Sequence, residues 1–221
     1  ALAAEAMSRG FQLAIHAIGD EGNRDTLDFI AENAARDPAT ENGRHRIEHA
    51  QVVSPADMSR FGELGVIASM EPPHAVEDKG WALARVGPDR ISGAYAWRSL
   101  RRSGAGITFN ADNPGSDHSI FYGLHAAITR RDKALEPAGG WYPEQALTAE
   151  ESIRAYTGWS ARAAFMEDRA GVIEPGRWAD LTVMDIDPLL LAETDAAAIL
   201  DGTILMTVVD GEVVFEHGAL P

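Results

Sequence analysis

Three side chains that can bind a divalent cation follow short apolar segments of this chain. His16 and His49 each close one such segment, and Asp112 comes two residues after the end of another. Neutral imidazole and carboxylate groups are suitable ligands for a hydrolytic zinc ion or a similar divalent metal. Held on separate strands, they would form a three-sided site whose open position takes a water of lowered pKa. The residue types therefore favour a metal-dependent hydrolytic centre.

A structural interpretation of the same three residues stays open. A single histidine at a strand end is more often a hydrogen-bonded structural residue than a metal ligand. The sequence Asp112-Asn113-Pro114-Gly115 is also a good turn, in which the aspartate would serve the turn alone. The metal interpretation gains from repetition, because each of three predicted strands delivers one such residue at the same end.

Apolar segments alternate with amphipathic ones over the first 130 residues. Four segments are predicted to be buried strands, at residues 11–16, 46–50, 65–70 and 106–110. Helices are predicted at 25–35, from 54 onward, at 97–103 and at 119–130. Such alternation implies parallel strands joined by crossovers, in either a doubly wound sheet or half of a (β/α)₈ barrel. In both architectures the carboxyl ends of the strands collect functional groups.

The chain changes character after Trp141. Helices are predicted at 147–156 and 160–166, and a β-rich tail follows with strands at 180–185, 204–209 and 212–215. Asp210-Gly211 between two β-rich segments predicts a hairpin turn. Residues 1–9 read as the last turns of a helix that Gly10 ends, so the sequence is expected to begin inside an αβ unit.

Composition narrows the classes of partner and ligand. The 221 residues carry a formal net charge of −15, which argues against nucleic acid because such partners need a positive stripe. No segment approaches the roughly 18 uninterrupted apolar residues of a membrane helix. No signal peptide is visible, so a cytoplasmic location is expected. Because the chain has no cysteine, any metal must be held by histidine, carboxylate or modified lysine side chains.

Two neighbouring polar residues are interpreted as structural. His45 precedes His49 by four residues and therefore shares its strand face, but it lies deeper along the strand. Asp20 could orient His16 or cap the next helix, and the capping role is favoured. Neither is predicted to bind the metal.

Seven motifs stand in order along nearly the whole chain: His16-Ala-Ile-Gly-Asp20, Arg44-His-Arg-Ile-Glu-His-Ala-Gln51, Ala68-Ser-Met-Glu-Pro-Pro-His-Ala75, Asn110-Ala-Asp-Asn-Pro114, Ala126-Ala-Ile-Thr-Arg130, Leu147-Thr-Ala-Glu-Glu-Ser-Ile-Arg-Ala-Tyr-Thr157 and Gly171-Val-Ile-Glu-Pro-Gly-Arg-Trp-Ala-Asp-Leu-Thr-Val-Met-Asp185. Any one of them would be weak, but the ordered set is specific. Together they resemble the amidohydrolase superfamily, and specifically its YtcJ-like branch, amidohydrolase family 3.

The resemblance implies an α/β fold, namely the C-terminal half of a (β/α)₈ metal-dependent hydrolase barrel (strands five to eight) plus part of a small β-sandwich domain. Residues 1–168 would form the partial, catalytic barrel. Residues 169–221 would form the C-terminal part of a composite β-domain, to which both chain ends contribute strands in the family. The other barrel strands would come from a missing N-terminal half or from an oligomeric partner.

The resemblance also implies roles for four residues. His16 matches the metal-ligand histidine of strand five, and His49 matches that of strand six. Asp112 matches the strand-eight aspartate, which binds metal and acts as the general base. His74 matches a position near the substrate and is predicted to bind it. Zinc is the expected metal, and iron or manganese suits the same ligands.

Two family features have no counterpart in the sequence. The His-x-His pair of the first barrel strand is absent. The bridging lysine of strand four, carbamylated in binuclear members, is also absent, since Lys79 and Lys133 are the only lysines and both belong to loop or surface contexts. The sequence therefore leaves open whether one ion or two is bound.

The predicted function is hydrolysis of a C–N bond in a small-molecule amide, cyclic amide or formamide by metal-activated water, with Asp112 moving the proton. The alternative is a non-catalytic fragment or degenerate barrel half that serves as an assembly or binding module. Half a barrel exposes two strand edges, and such edges are prone to association.

Overall fold

A computed structural model describes residues 2–40 and 43–218. Its first sheet contains four parallel strands in the spatial order of the sequence: β1 (Ala14–Ala17), β2 (Arg46–His49), β3 (Ile67–Met70) and β4 (Gly106–Phe109). Ala17 pairs with His49, and Met70 pairs with Phe109. The ends of neighbouring strands are therefore level at one edge of the sheet. The predicted α/β class is confirmed.

Helices cover and connect these strands. They are α1 (Leu2–Ser8), α2 (Asp20–Arg36), α3 (Met58–Glu63), α4 (Pro72–Asp78), α5 (Ala82–Val86), α6 (Trp97–Arg102), α7 (Ile120–Thr129), α8 (Ala149–Tyr156), α9 (Gly158–Ala163) and α10 (Pro188–Thr194). The apolar stripe of α2, formed by Leu27, Ile30 and Ala34, is buried, as a helix packed on a sheet requires.

Burial is deepest in the middle of the parallel sheet. Every residue of β3 is buried, whereas β1 alternates between exposed and partly buried positions before Ala17. Strands covered on both faces have nearly continuous apolar sequences, which explains why β3 could be predicted from the sequence. The strand β1 begins three residues later than predicted, because the amide of Leu13 donates to the side chain of His45 rather than to a neighbouring backbone.

A buried asparagine joins the loops that leave the first two strands. The side chain of Asn23, on α2, is fully buried, and its amide donates to the carbonyls of Ala17 and Val52 at 3.3 and 3.2 Å. A buried N–H donor is costly to leave without an acceptor. The contact therefore fixes the loop after β1 against the loop after β2, where the predicted ligands lie.

Local capping signals in the sequence explain several helix ends. Ser119 caps α7 through its hydroxyl, and Thr148 with Glu151 forms a capping box at the start of α8. Helix α7 ends at Thr129 and is followed by its cap residue Arg130, whose guanidinium is buried over the Trp97 ring at 4.2 Å. Burial lowers the pKa of Arg130 to about 9. Its Nη1 donates to the carbonyl of Tyr95 and so holds that tyrosine in place.

The tail forms an antiparallel sheet of β5 (Leu181–Met184), β6 (Ile204–Val209) and β7 (Glu212–Glu216). The hairpin turn at Asp210-Gly211 lies where it was predicted. The tail packs on α7 through a cluster that includes Phe121, Leu124 and Ile199. The proposed division after residue 168 falls between α9 and β5 and stays a prediction.

The helices of this chain are short. Within residues 2–40 and 43–218, none of the helices combines the length and the apolar character needed to span a membrane.

Candidate metal centre

The backbone takes a costly conformation where β2 ends. His49 and Ala50 have φ values of 75° and 44°, in the left-handed region that non-glycine residues seldom adopt. Such conformations cost of order 1–3 kcal/mol each and persist only where the surrounding structure imposes them. The turn directs the His49 ring toward the end of β3. The backbone where β2 ends is therefore held in this conformation by its surroundings.

Three of the four predicted site residues come together beyond the strand ends. One ligand atom from each of His49, His74 and Asp112 lies within 4.8 Å of the other two. The Nε2 of His74 is 4.0 Å from an Asp112 carboxylate oxygen. His74 lies on α4, directly after β3, whereas Asp112 lies in the loop after β4. Elements distant in sequence thus place two imidazoles and a carboxylate around one point.

His16 lies beside this group rather than inside it. Its ring packs edge-on against the His49 ring, with centroids 4.5 Å apart. The His49 and His74 rings are stacked at 6.1 Å. His16 is exposed on β1. Among the residues that the structure describes, the cluster therefore contains two of the predicted ligands, and His74 takes the place expected of His16.

Glu71 belongs to the candidate site by its contacts, and sequence reasoning assigned it no role there. Its side chain is 2% exposed, and one carboxylate oxygen lies 3.0 Å from Nδ1 of His49 and 3.5 Å from Nδ1 of His74. The other oxygen accepts a hydrogen bond from Asn110 at 2.8 Å. The available signal was a carboxylate standing between a buried strand and Pro72. Its charge is difficult to bury without such partners.

The Glu71 carboxylate fixes how both imidazoles can act. Metal-ligating histidines commonly donate their second ring nitrogen to a carboxylate, which sets the tautomer and the ring orientation. The hydrogen bond to Glu71 raises the pKa of His74, with the Glu71 charge adding to the effect and burial opposing it. With Nδ1 engaged, Nε2 is the ring nitrogen that remains to bind a cation or a substrate.

Asp112 is held by its own loop. Its φ is 48°, and its amide donates to the side chain of Asn110 at 2.8 Å. The amide of Gly115 donates to the Asp112 carbonyl, so the predicted turn is present as well. The side chain is 47% exposed, which leaves its carboxylate free to meet a cation or a water. The turn and ligand interpretations of Asp112 are thus compatible.

The donor set fits a divalent cation. Two imidazoles and one carboxylate, with a second carboxylate behind the imidazoles, match the ligand chemistry of hydrolytic zinc sites. Arginine and lysine side chains are absent from the ion pairs of Glu71 and Asp112 among the described residues. A cation would therefore balance negative charge that the chain itself leaves unbalanced.

A second hydrogen-bonded group stands next to the centre. The hydroxyl of Tyr95 and the amide of Gln51 both contact the same carboxylate oxygen of Asp78, and Gln51 also contacts the Tyr95 hydroxyl. Burial, followed by the Asp78 contact, raises the pKa of Tyr95 far above its usual range. Tyr95 therefore remains a neutral hydrogen-bond donor that holds α4 against the loop after β2.

Comparison with known proteins establishes the family. Residues 1–215 match the sequence pattern of the amidohydrolase family. The YtcJ protein of Bacillus subtilis (strain 168) is 30% identical over 213 residues, which are 96% of this chain and 39% of that protein. The chain therefore belongs to the amidohydrolase family, in the YtcJ-like branch that its motifs resemble.

Two further relatives agree with that assignment. The N-substituted formamide deformylase of Arthrobacter pascens is 29% identical over 220 residues, or 98% of this chain and 39% of the enzyme. The crystal structure of an uncharacterized metal-dependent hydrolase from Pyrococcus horikoshii is similar with a TM-score of 0.73 and 30% identity, over 88% of this chain and 38% of that one. The chain thus spans well under half the length of these relatives.

Proposed function

We propose that this chain supplies the C-terminal half of a metal-dependent hydrolase site that cleaves a C–N bond in an amide, cyclic amide or formamide. The observation that carries the proposal is the pair of imidazoles fixed by buried Glu71 and facing Asp112. Family membership and the name of the formamide deformylase relative support the C–N bond as the target.

Each residue has a distinct task in the proposed reaction. A bound divalent ion, zinc or else iron or manganese, supplies Lewis-acid polarisation and lowers the pKa of water. Asp112 accepts the proton of the attacking water and returns it to the departing nitrogen, for which its partly exposed carboxylate is suitable. His74 contacts the substrate oxygen, and Glu71 keeps the ring in the required orientation.

Experiment can decide which histidines bind the cation. We assign His16, His49 and Asp112 to the cation and His74 to the substrate. The cluster of His49, His74 and Asp112 supports a second arrangement in which His74 binds the cation directly. Zinc content of His16→Ala and His74→Ala separates the two, because only loss of a true ligand lowers metal occupancy at limiting zinc.

The half-barrel architecture belongs to the same proposal. Four parallel strands in sequential order are arranged as in a (β/α)₈ barrel, whereas a doubly wound sheet changes direction at a switch point. Strands one to four would come from a preceding N-terminal half or from an oligomeric partner. The β5–β7 sheet would complete a composite β-domain with strands from the same source.

An assembly module is the alternative function, and the exposure of β1 favours it. An edge strand with unpaired backbone groups is a natural site for strand addition. In this alternative the chain completes a partner barrel without providing its chemistry.

The test is hydrolysis of N-benzylformamide by the full-length protein that carries this segment, measured as formate release. We expect activity that zinc restores after chelation, and a kcat loss of roughly 10²- to 10⁴-fold for Asp112→Asn. Asp117→Asn, which removes a nearby loop carboxylate paired with Lys133, is the matched control and should retain activity. A zinc-loaded protein that hydrolyses no amide would leave the assembly role in place.

A further inference from the structure

A cavity of about 350 Å³ lies at the amino-terminal edge of the parallel sheet. Its lining includes Ile67 and Gly106, the first residues of β3 and β4. The candidate metal centre lies beyond the last residues of these strands, at the opposite edge. Ligand pockets for small molecules range from about 300 to 1,000 Å³. The cavity can therefore hold a molecule at the small end of that range.

One side of the cavity is formed by the turns that lead into β3 and β4. Gly62, in the last turn of α3, packs against the turn after α6, where a Cβ on residue 62 would lie 2.9 Å from the carbonyl oxygen of Ser103. The two turns approach this closely because glycine has no side chain. Three further glycines line the cavity, at positions 65, 104 and 106. These turns thus form a side of the cavity without filling it.

Three arginine side chains line the cavity, and no carboxylate lies among the described residues of its lining. They are Arg101 on α6, Arg162 on α9 and Arg44 in the segment before β2. Glu167 pairs with Arg44 at 2.6 Å and lies 3.8 Å from Arg162. Over the lining residues and their ion pairs, three guanidinium charges against one carboxylate leave an excess of two positive charges. In a chain with a net charge of −15, such a cavity favours an anion.

Arg101 has the fewest partners of the three arginines. Its guanidinium lies over the Trp159 ring at 4.2 Å, and its Nη1 donates to the carbonyl of Ala105 at 3.3 Å. Among the described residues, neither its Nε nor its Nη2 has an acceptor, and no carboxylate pairs with it. A planar guanidinium held by stacking is suited to two-point contact with an oxoanion. The Nη2 side of Arg101 is therefore available for such a ligand.

Apolar side chains line the rest of the cavity, namely Phe61, Ile67, Ile107 and Trp159. Phe61 and Ile107 are buried, and Trp159 is partly exposed. Apolar surface of this kind gains free energy when a hydrocarbon group covers it. A bare inorganic ion would leave this surface uncovered. The lining therefore favours an oxoanion that is carried on a small apolar group.

We propose that this cavity binds an organic oxoanion, a carboxylate or a phosphate monoester on a small apolar group, with Arg101 and Arg162 as its main contacts. The bound anion would join α6, α9 and the segment before β2. Because it binds the folded chain, it would raise the stability of the protein by mass action. The inference goes beyond the proposed function and does not depend on hydrolysis at the metal centre.

The experiment measures the binding of four probes to the chelator-treated full-length protein by isothermal titration calorimetry: benzoate, phenyl phosphate, inorganic phosphate and benzylammonium. We expect the tighter of the two aromatic anions to bind more than roughly tenfold better than benzylammonium. It should also bind roughly tenfold better than inorganic phosphate, which cannot cover the apolar lining. Whether benzoate or phenyl phosphate binds more tightly distinguishes a carboxylate ligand from a phosphate ester.

Two variants assign the binding to the cavity. Arg101→Gln should weaken binding of the preferred anion roughly 10- to 100-fold. Arg162→Gln changes a side chain that is 65% exposed, so the fold should tolerate it, and we expect a roughly three- to tenfold loss of affinity. The matched control is Arg102→Gln, which alters the exposed neighbour of Arg101 outside the lining and should leave affinity unchanged.

Thermal unfolding provides the second readout. A saturating concentration of the preferred anion should raise the Tm of the wild-type protein and of Arg102→Gln, and should raise that of Arg101→Gln less. Equal binding of anions and benzylammonium, or no binding of either aromatic anion, would overturn the proposal. Anion binding that survives both Arg101→Gln and Arg162→Gln, or that is lost in His49→Ala, would place the anion elsewhere and overturn it as well.

Discussion

Two histidines near opposite ends of β2 have contrasting surroundings. His45 is 3% exposed, and its Nδ1 accepts a hydrogen bond from the Leu13 amide. Burial lowers its pKa, so it stays neutral. His49, four residues later, has a left-handed backbone and meets the Glu71 carboxylate. Histidine thus has a structural role just before β2 and contacts a buried carboxylate where β2 ends.

The charged groups at the two ends of the sheet differ in the same way. At the amino end, Arg46 pairs with Glu48 at 2.8 Å and Arg44 with Glu167 at 2.6 Å. The Arg44 guanidinium holds the pKa of Glu167 at about 2. At the carboxyl end, the partners of Glu71 among the described residues are two imidazoles and an amide. In parallel α/β folds the amino end serves stability and the carboxyl end serves function.

The largest expected effect is the loss of metal binding in His49→Ala. This change removes a proposed ligand and leaves the buried Glu71 without the nearer of its two imidazole partners. Zinc affinity should fall by more than roughly 100-fold, or about 2.7 kcal/mol. Inductively coupled plasma mass spectrometry after equilibrium dialysis measures the change. His217→Ala, which alters an exposed histidine of the tail, is the control, and equal zinc loss in both variants would contradict the assignment.

Glu71→Gln is expected to have the next largest effect. The amide keeps the size of the side chain but removes the charge that orients His49 and His74. Loss of such an outer carboxylate weakens metal affinity by roughly 10- to 100-fold. Competition with a fluorescent zinc chelator measures it. Unchanged zinc affinity would show that the Glu71 carboxylate has a structural role, as His45 does.

His45→Ala tests the structural role of the buried histidine that precedes β2. It leaves a buried void and removes the acceptor of the Leu13 amide, so we expect a loss of about 2 kcal/mol in the free energy of unfolding. Zinc affinity of the folded protein should not change. Urea denaturation measures the free energy of unfolding, and chelator competition measures the zinc affinity. A stability change no larger than that of exposed His118→Ala would contradict the structural role.

The smallest effect is expected for Glu151→Gln, which alters a carboxylate already paired with a cation. The Arg98 hydrogen bond lowers the pKa of Glu151 to about 2, and the same side chain closes the capping box of α8. We expect the free energy of unfolding to fall by about 1 kcal/mol, with zinc affinity unchanged. Since the folded pKa lies below the usual 4.5, this stability is complete above pH 4.5 and declines as the pH falls toward 2. Denaturation of both proteins at neutral and acid pH measures it.

The sequence predicted the strands better than the short helices. Apolar segments of four to six residues located β2, β3, β4 and the β6–β7 hairpin, because their residues are buried or paired along their whole length. Helices α4, α5 and α10 were missed. Two of them, α4 and α10, begin at a proline, and none of the three is long enough for an amphipathic period to stand out.

The candidate site was predicted as a set of residues but not as an arrangement. Strand-end positions identified His49 and Asp112, and the family motifs added His74. The role of Glu71 depends on contacts with residues 22, 3 and 39 positions away, which no local pattern contains. The exposed position of His16 depends on β1 having a strand partner on one side only among the described strands.

Anomalous diffraction at the zinc edge, from zinc-soaked crystals of the full-length protein, tests the central claim most directly. The account predicts a peak bounded by the His49 imidazole and the Asp112 carboxylate, with His16 or His74 completing the ligands and Glu71 bonded to the far side of the His49 ring. A zinc peak elsewhere, with these side chains turned away from a common point, would contradict it.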